Sequence, residues 1–301
     1  MASPRLEGRT GGVMAVRYDW RRTIAFIDQS GNETERARLR GLLGRTRPDA
    51  RILRTLEALQ NEDGGYPGEL AQGRPSSVEA TALVLGWMQD LSMFAFPQAQ
   101  RAVTYLLTAQ RPDGTWDESP GLLRYGPSPR LVPGDPRVQA LCTALAACWL
   151  AFLGYRQDHG VARALAWLRS RQAADGRFLG FLRTTWAAAA VFRLVEGAGS
   201  STSARAVEAL TGVGDDRWYP GALAGMLACL AEAGVPASVP VMRRGLGRLW
   251  ALARPDGSWS SEDGDAYTVE VTLGALRALL RCGAVSPPAI QEAPPAGAIE
   301  T

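Results

Sequence analysis

Lysine is absent. All 33 basic residues of the 301-residue chain are arginine, which excludes Schiff-base catalysis, a lysine general base and the lysine of a phosphate-binding loop. Histidine occurs once, as His159, so a histidine triad or a two-histidine zinc site has no second imidazole to draw on. Its setting, Gln157-Asp158-His159-Gly160, reads as a surface helix start. The four cysteines, Cys142, Cys148, Cys229 and Cys282, form no Cys-x-x-Cys pair. Zinc-ribbon and thioredoxin-like readings therefore fail, and buried free thiols are expected inside apolar helices. Charge blocks are missing too: the net charge is only +3, spread along the chain, so no nucleic-acid track is present. The first residues lack an apolar run of signal-peptide length. The longest apolar stretch, 138–155, is broken by Gln139 and Thr143 and is short for a bilayer. It reads as a helix buried on all sides, and a cytoplasmic protein with no transmembrane segment is expected.

What is present is a repeat. Gln60-Asn-Glu-Asp63-Gly64-Gly65-Tyr66 returns as Gln110-Arg-Pro-Asp113-Gly114-Thr115-Trp116 and as Gln172-Ala-Ala-Asp175-Gly176-Arg177-Phe178. A fourth copy, Ala253-Arg-Pro-Asp256-Gly257-Ser258-Trp259, lacks the Gln, and Asp215-Asp216-Arg217-Trp218 is a degenerate copy between the last two. Recurrence of this kind marks an architecture of stacked units. An amphipathic helical pattern precedes each copy and a more apolar, Ala- and Leu-rich one follows, at 78–91, 138–153, 184–195, 222–230 and 269–280. Asp-Gly ends the first helix of each pair, because glycine takes the left-handed conformation that a helix end favours. Ser76 with Glu79 forms a capping box for one second helix, and Asp135-Pro136 starts another. Upstream, Val16, Trp20, Ile24 and Ile27 share one helical face, and Asn32 with Glu35 caps a further helix through Leu43. The expectation is an all-α fold of twelve helices in six pairs, amphipathic helices outside and apolar ones inside. One barrel domain spans 13–284, with disordered tails at 1–12 and 285–301.

Gln-x-x-Asp-Gly-x-aromatic, followed by a helix with Thr-x-x-Ala-Leu-like runs, resembles the repeat of squalene and oxidosqualene cyclases. Class II diterpene cyclases and protein prenyltransferase β subunits share it. The resemblance covers residues from about 50 to 283. It implies an α6–α6 barrel in which the motif's Gln and aromatic tie the outer helices together. Prenyltransferases and lanthionine cyclases need zinc held by cysteine and histidine, which a lone His159 at an outer helix start does not supply, and no metal site is expected. Class II terpene cyclases instead protonate an alkene or epoxide with an aspartic acid in an Asp-x-Asp-Asp-Thr-Ala motif that opens an inner helix. Such an acid must stay protonated through burial and a neighbouring carboxylate.

On that resemblance the function is acid-initiated carbocation cyclisation of an isoprenoid. The alternatives are a non-catalytic isoprenoid- or partner-binding barrel, or a subunit completing another chain's site. Asp263-Gly264-Asp265-Ala266-Tyr267-Thr268 matches the acid motif in part, with Asp265 as the acid and Asp263 beside it. Ser77-Val78-Glu79-Ala80-Thr81-Ala82 is a second partial match, with Glu79 in the central acidic place. Each has a plainer reading: Asp263 or Asp265 as a helix N-cap, Glu79 as capping-box partner. Glu270 likewise is either a site carboxylate or part of a solvated ion-pair stripe with Arg277 and Arg281. Trp87, Trp149, Trp186 and Tyr267 are candidate lumen aromatics that would stabilise cations, or else core. The long 117–134 connection suits a lid, its Arg124 and Arg130 placed to meet a diphosphate. No cofactor is expected beyond magnesium brought by a diphosphate substrate. Class II cyclases that resemble this repeat place their site between or within two barrels, so a single one acts alone on a small substrate, pairs with another chain as a homodimer or with a partner barrel, or has lost catalysis.

Overall fold

The structure, a computed structural model, describes residues 20–44 and 48–286. The N-terminal tail, Val16 and all but the first two residues of the C-terminal tail lie outside the described residues. Twelve α-helices account for the architecture among these residues: α1 (Trp20–Ser30), α2 (Glu33–Leu42), α3 (Ala50–Leu59), α4 (Val78–Asp90), α5 (Pro97–Thr108) and α6 (Pro136–Phe152), then α7 (His159–Arg169), α8 (Leu182–Glu196), α9 (Ser201–Thr211), α10 (Pro220–Glu232), α11 (Pro240–Ala251) and α12 (Thr268–Arg281). A two-residue ladder, Tyr66–Pro67 against Ser76–Ser77, is the only sheet there. The even-numbered helices pack in order, α2 on α4, α4 on α6, α6 on α8, α8 on α10 and α10 on α12, and α12 packs back on α2. The inner ring is closed. The odd-numbered helices lie outside it, so the fold is an all-α α6–α6 barrel.

The repeat motif is the fastener of this barrel. In each good copy the Asp side chain accepts from the backbone N–H two residues on, and the following glycine holds φ near +85°, a conformation that costs glycine little. The Gln side chain then donates to two carbonyls at once, its own turn's glycine and the start of the next outer helix. Gln60 reaches Gly64 and Gln98, Gln110 reaches Gly114 and Gly160, and Gln172 reaches Gly176 and Thr202. The fourth copy has Ala253 in this place, and the next outer helix around the ring is α1. There Thr23 Oγ1, on α1, donates to Gly257 O at 2.6 Å and closes the outer layer.

The aromatic ties outer to inner helix. Trp116 and Trp259 are buried, and each indole N–H donates to a carbonyl of the outer helix just ended, Leu106 and Leu249. The aromatic's own backbone N–H donates to a threonine hydroxyl of the following inner helix: Tyr66 to Thr81, Trp116 to Thr143, Phe178 to Thr185, Trp259 to Thr272. This explains the recurring threonine in otherwise apolar helices, since each buried N–H needs a partner.

Two expectations are corrected. The capping box at Ser76 does not form: the N-cap of α4 is Ser77, whose hydroxyl accepts from Ala80 N, because Ser76 is engaged in the short ladder. Neither Asp263 nor Asp265 caps α12, which starts after Tyr267 without a side-chain cap. The boxes at Asn32–Glu35 and the cap at Asp135 are present.

Replacing Trp116 or Trp259 with Ala should cost about 3–5 kcal/mol, the range for deleting a large buried aromatic. Equilibrium denaturation measures it. A loss below about 1 kcal/mol would show that these side chains do not fasten the barrel.

Candidate active site

Inner helices of such a barrel run parallel, so their first turns ring one mouth of the lumen. Glu79, on the first turn of α4, and Arg183, on the first turn of α8, meet there: Arg183 Nη1 donates to Glu79 Oε1 at 2.6 Å. Since α6 stands between α4 and α8, this pair crosses the lumen just inside the mouth. Glu79 Oε2 makes no hydrogen bond among the described residues, and the side chain is 15% exposed. Behind it lies Glu118, from the 117–134 connection, which is buried. Its carboxyl accepts from Ser77 Oγ and from the backbone N–H of Val78 and Glu79. Glu118 thus caps α4 and fixes the turn that carries Glu79.

Deeper in, charges replace the apolar surface that an inner ring is expected to present. Arg38, on α2, is fully buried, donating from Nε to Asp90 at 3.0 Å and from both terminal nitrogens to Glu270. Arg277 donates from Nε to the other oxygen of Asp90 at 2.6 Å. Trp87 lies under the Arg38 guanidinium, 5.1 Å from ring centroid to carbon, and its indole N–H points to Glu270 at 3.4 Å. The Glu270 side chain is held by this cluster yet 30% exposed. Near the floor, Glu232 binds Arg281 and Gln89. The solvated stripe expected for Glu270, Arg277 and Arg281 is therefore not formed, because Glu270 and Arg277 turn inward onto Arg38 and Asp90.

The other expected site residues separate into lumen, wall and rim. Trp149 borders the lumen, with Trp149, Phe152 and Phe94 packed edge to face near the floor. Trp186 is buried in the wall, stacked on Trp218 at 6.1 Å. Tyr267 is exposed, as are Asp263 and Asp265. The loop that holds them sits above α12, so Asp265 lacks the burial that an acid at neutral pH requires. Arg124 and Arg130 lie in the 117–134 connection outside the lumen. Arg124 folds onto Gly121 and Tyr125, while Arg130 reaches Asp263 at 3.7 Å. The connection enters α6 and Asp263 precedes α12, on opposite sides of the ring, so this contact lays the connection over the mouth. His159 is exposed at the start of α7. Among the described residues no three of His, Cys, Asp or Glu are grouped to share a metal ion, and no helix is long and apolar enough to cross a membrane.

Sequence reasoning missed Arg38, Asp90, Glu118 and Arg183. Asp90 carried a signal, a charge ending an apolar helix. Arg183, a charge on the first turn of an Ala-rich inner helix, carried a similar one; Arg38 on a polar helix and Glu118 in a loop gave none, since such residues are ordinarily at the surface.

Electrostatics sorts these carboxyls. Burial alone would raise Glu270, but the Arg38 charge and hydrogen bonds overcome it and hold the carboxyl below its ordinary value. Glu270 is a fixed anion. Burial pushes Glu118 from 4.5 up to about 7, against the hydrogen bonds from Glu79, Ser77 and Val78. Burial likewise raises the Cys142 thiol beside it. Between pH 4.5 and 7 the folded chain therefore holds a proton on Glu118 that the unfolded chain has released, so stability falls as pH rises through that window. Wild type should lose roughly 2–3 kcal/mol of stability relative to Glu118→Gln across it. Denaturation at stepped pH measures this, and a gap independent of pH would show that Glu118 stays ionised.

No protein-family model matches the sequence, and no curated protein does. Solved structures do resemble the fold. The type II terpene cyclase MstE from Scytonema, without ligand, superposes with a TM-score of 0.59 at 18% identity, over 88% of this chain and 97% of that one. A variant of MstE in complex with its substrate, geranylgeranyl dihydroxybenzoate, gives 0.60 at 17%, over 88% and 96%. A protein from Actinoplanes gives 0.58 at 18%, over 87% and 98%. One barrel accounts for nearly the whole of each solved chain, so a second barrel is not a requirement of this fold. The chain has the single-barrel fold of a type II terpene cyclase.

Proposed function

We propose that the chain encloses an isoprenoid in its lumen and cyclises it by the class II route, with Glu79 as proton donor. The observation that carries this reading is the position of Glu79. It opens an inner helix, faces the lumen and keeps Oε2 free, while Arg183 fixes Oε1 and Glu118 fixes the helical turn. Thr81 and Ala82 follow it in the order that the class II motif has after its acids. Asp265, exposed above the mouth, meets none of these conditions.

The step needs no cofactor. A proton leaves Glu79 Oε2 for one carbon of the terminal alkene, and the cation forms at the other carbon. The next π bond attacks it to close a ring, loss of a proton from the last cation to water restores an alkene, and solvent returns a proton to Glu79. Trp87 and Trp149 offer π faces to these cations, and the Glu270 anion lowers the energy of positive charge in a space of low dielectric. The connection across the mouth limits water, which would capture the cation. The neighbour MstE binds a prenylated aromatic acid by its description, and the lumen of this chain is read as taking the same broad class.

Incubation with geranyl, farnesyl and geranylgeranyl diphosphates, squalene and prenylated aromatic acids, followed by mass spectrometry, is the direct trial. Glu79→Gln should lower turnover at least about 100-fold while binding persists, the lower range for removing a general acid. Turnover lost in Asp265→Asn and kept in Glu79→Gln would return the acid to the loop. Because Arg183 must yield before Glu79 Oε1 can rotate, a second reading is an isoprenoid carrier, shown by binding without product in the wild type.

A further inference from the structure

We propose that the isoprenoid enters head first and that its head is a single carboxylate, received by Nη1 of Arg277 near the lumen floor; this rests on Glu79 being the acid. Arg277 is held from behind. Asp90 takes its Nε and Nη2, which fixes the guanidinium plane. Nη1 makes no hydrogen bond among the described residues, although the side chain is only 17% exposed. Gly86 leaves room in front of it: a β-carbon there would sit 3.6 Å from Nη1 and 3.7 Å from the Trp149 ring. The result is a slot with a rigid N–H donor at its end and Trp149 at its side.

Direction follows from chemistry. Acid initiation occurs at the alkene farthest from the head, so a substrate reacting at Glu79 points its head away from the mouth. Glu79 and Gly86 are about two turns apart on α4, roughly 10 Å at 1.5 Å per residue. The head therefore arrives beside Arg277.

Charge selects the head. Arg38 and Arg277 are matched by Asp90 and Glu270, and Arg281 by Glu232. The floor is neutral before the ligand arrives, and Arg277 Nη1 is a cationic nitrogen held rigidly inside the ring. One carboxylate fits that offer. A diphosphate would add several negative charges to a site already holding three carboxylates, and its magnesium would find those carboxylates engaged by arginines.

Quenching of tryptophan fluorescence tests this with farnesoic acid, farnesol and farnesyl diphosphate, and with the geranyl and geranylgeranyl series. The acid should bind on the order of tenfold tighter than the alcohol of equal chain, and tighter than the diphosphate. Arg277→Met should erase the gap between acid and alcohol while the alcohol still binds, and Arg183→Gln should keep that gap. If Arg277→Met does not fold, the wild-type series decides alone: an acid no tighter than its alcohol, or a tighter diphosphate, overturns the proposal. A gap that survives Arg277→Met and vanishes in Arg183→Gln puts the head at the mouth and also overturns it. Alcohols that bind with no acid preference sink this inference alone, whereas failure of every prenyl compound to bind sinks the proposed function with it.

Discussion

The barrel depends on Arg38. Helices stacked in pairs form an open solenoid unless the last pair meets the first, and that meeting occurs where α12 packs on α2. Helix α2 is the most polar member of the inner ring, and its Leu39, with Leu43 just beyond it, packs with Ile27 of α1 and with Val269, Leu273 and Leu276 of α12 in a small apolar cluster. A guanidinium ties this seam further, binding Glu270 of α12 and Asp90 of α4 at once. Burying such charges is costly, and the cost is offset because each has an opposite partner and directional hydrogen bonds. In the outer layer Thr23 does the matching work on Gly257, where the repeat has lost its Gln.

Closure also makes the site. Arg38, with Arg277 beside it, holds Glu270 as an anion against the cost of its burial. The same network leaves a carboxylate under the Trp87 wall and an arginine nitrogen at the floor. The device that shuts the ring thereby supplies the polar groups of an otherwise apolar cavity. The mouth is organised differently. There Glu118, reaching from the long connection, caps α4, and the connection continues over the opening to Asp263. The connection over the mouth and the turn that carries Glu79 are thus joined through the Glu118 carboxyl.

The regular part of this design was written in local patterns. Asp-Gly turns, helix caps and the alternation of amphipathic with apolar helices depend on residues within a few positions of each other, so the twelve helices and two layers could be read from the sequence. The recurring Gln, aromatic and threonine also obey a repeat, and each proved to have a hydrogen-bonding task. Where the pattern was read one residue too early, at Ser76, a ladder to Tyr66 and Pro67 had claimed that residue.

The site could not be read this way. Whether Glu270 meets water or Arg38 depends on a helix 232 residues away, and no local pattern encodes that. Glu79 and Asp265 both follow fragments of the same acid motif, and their surroundings alone separate them: one turns into the lumen beside Arg183, the other stands on an exposed loop above α12. By itself the sequence determined how each helix starts, stops and divides its faces, because those are short-range contests of capping and burial. Only the closed ring decided which charges share a dry interior, because a charge's neighbours across a lumen are set by the path of the whole chain.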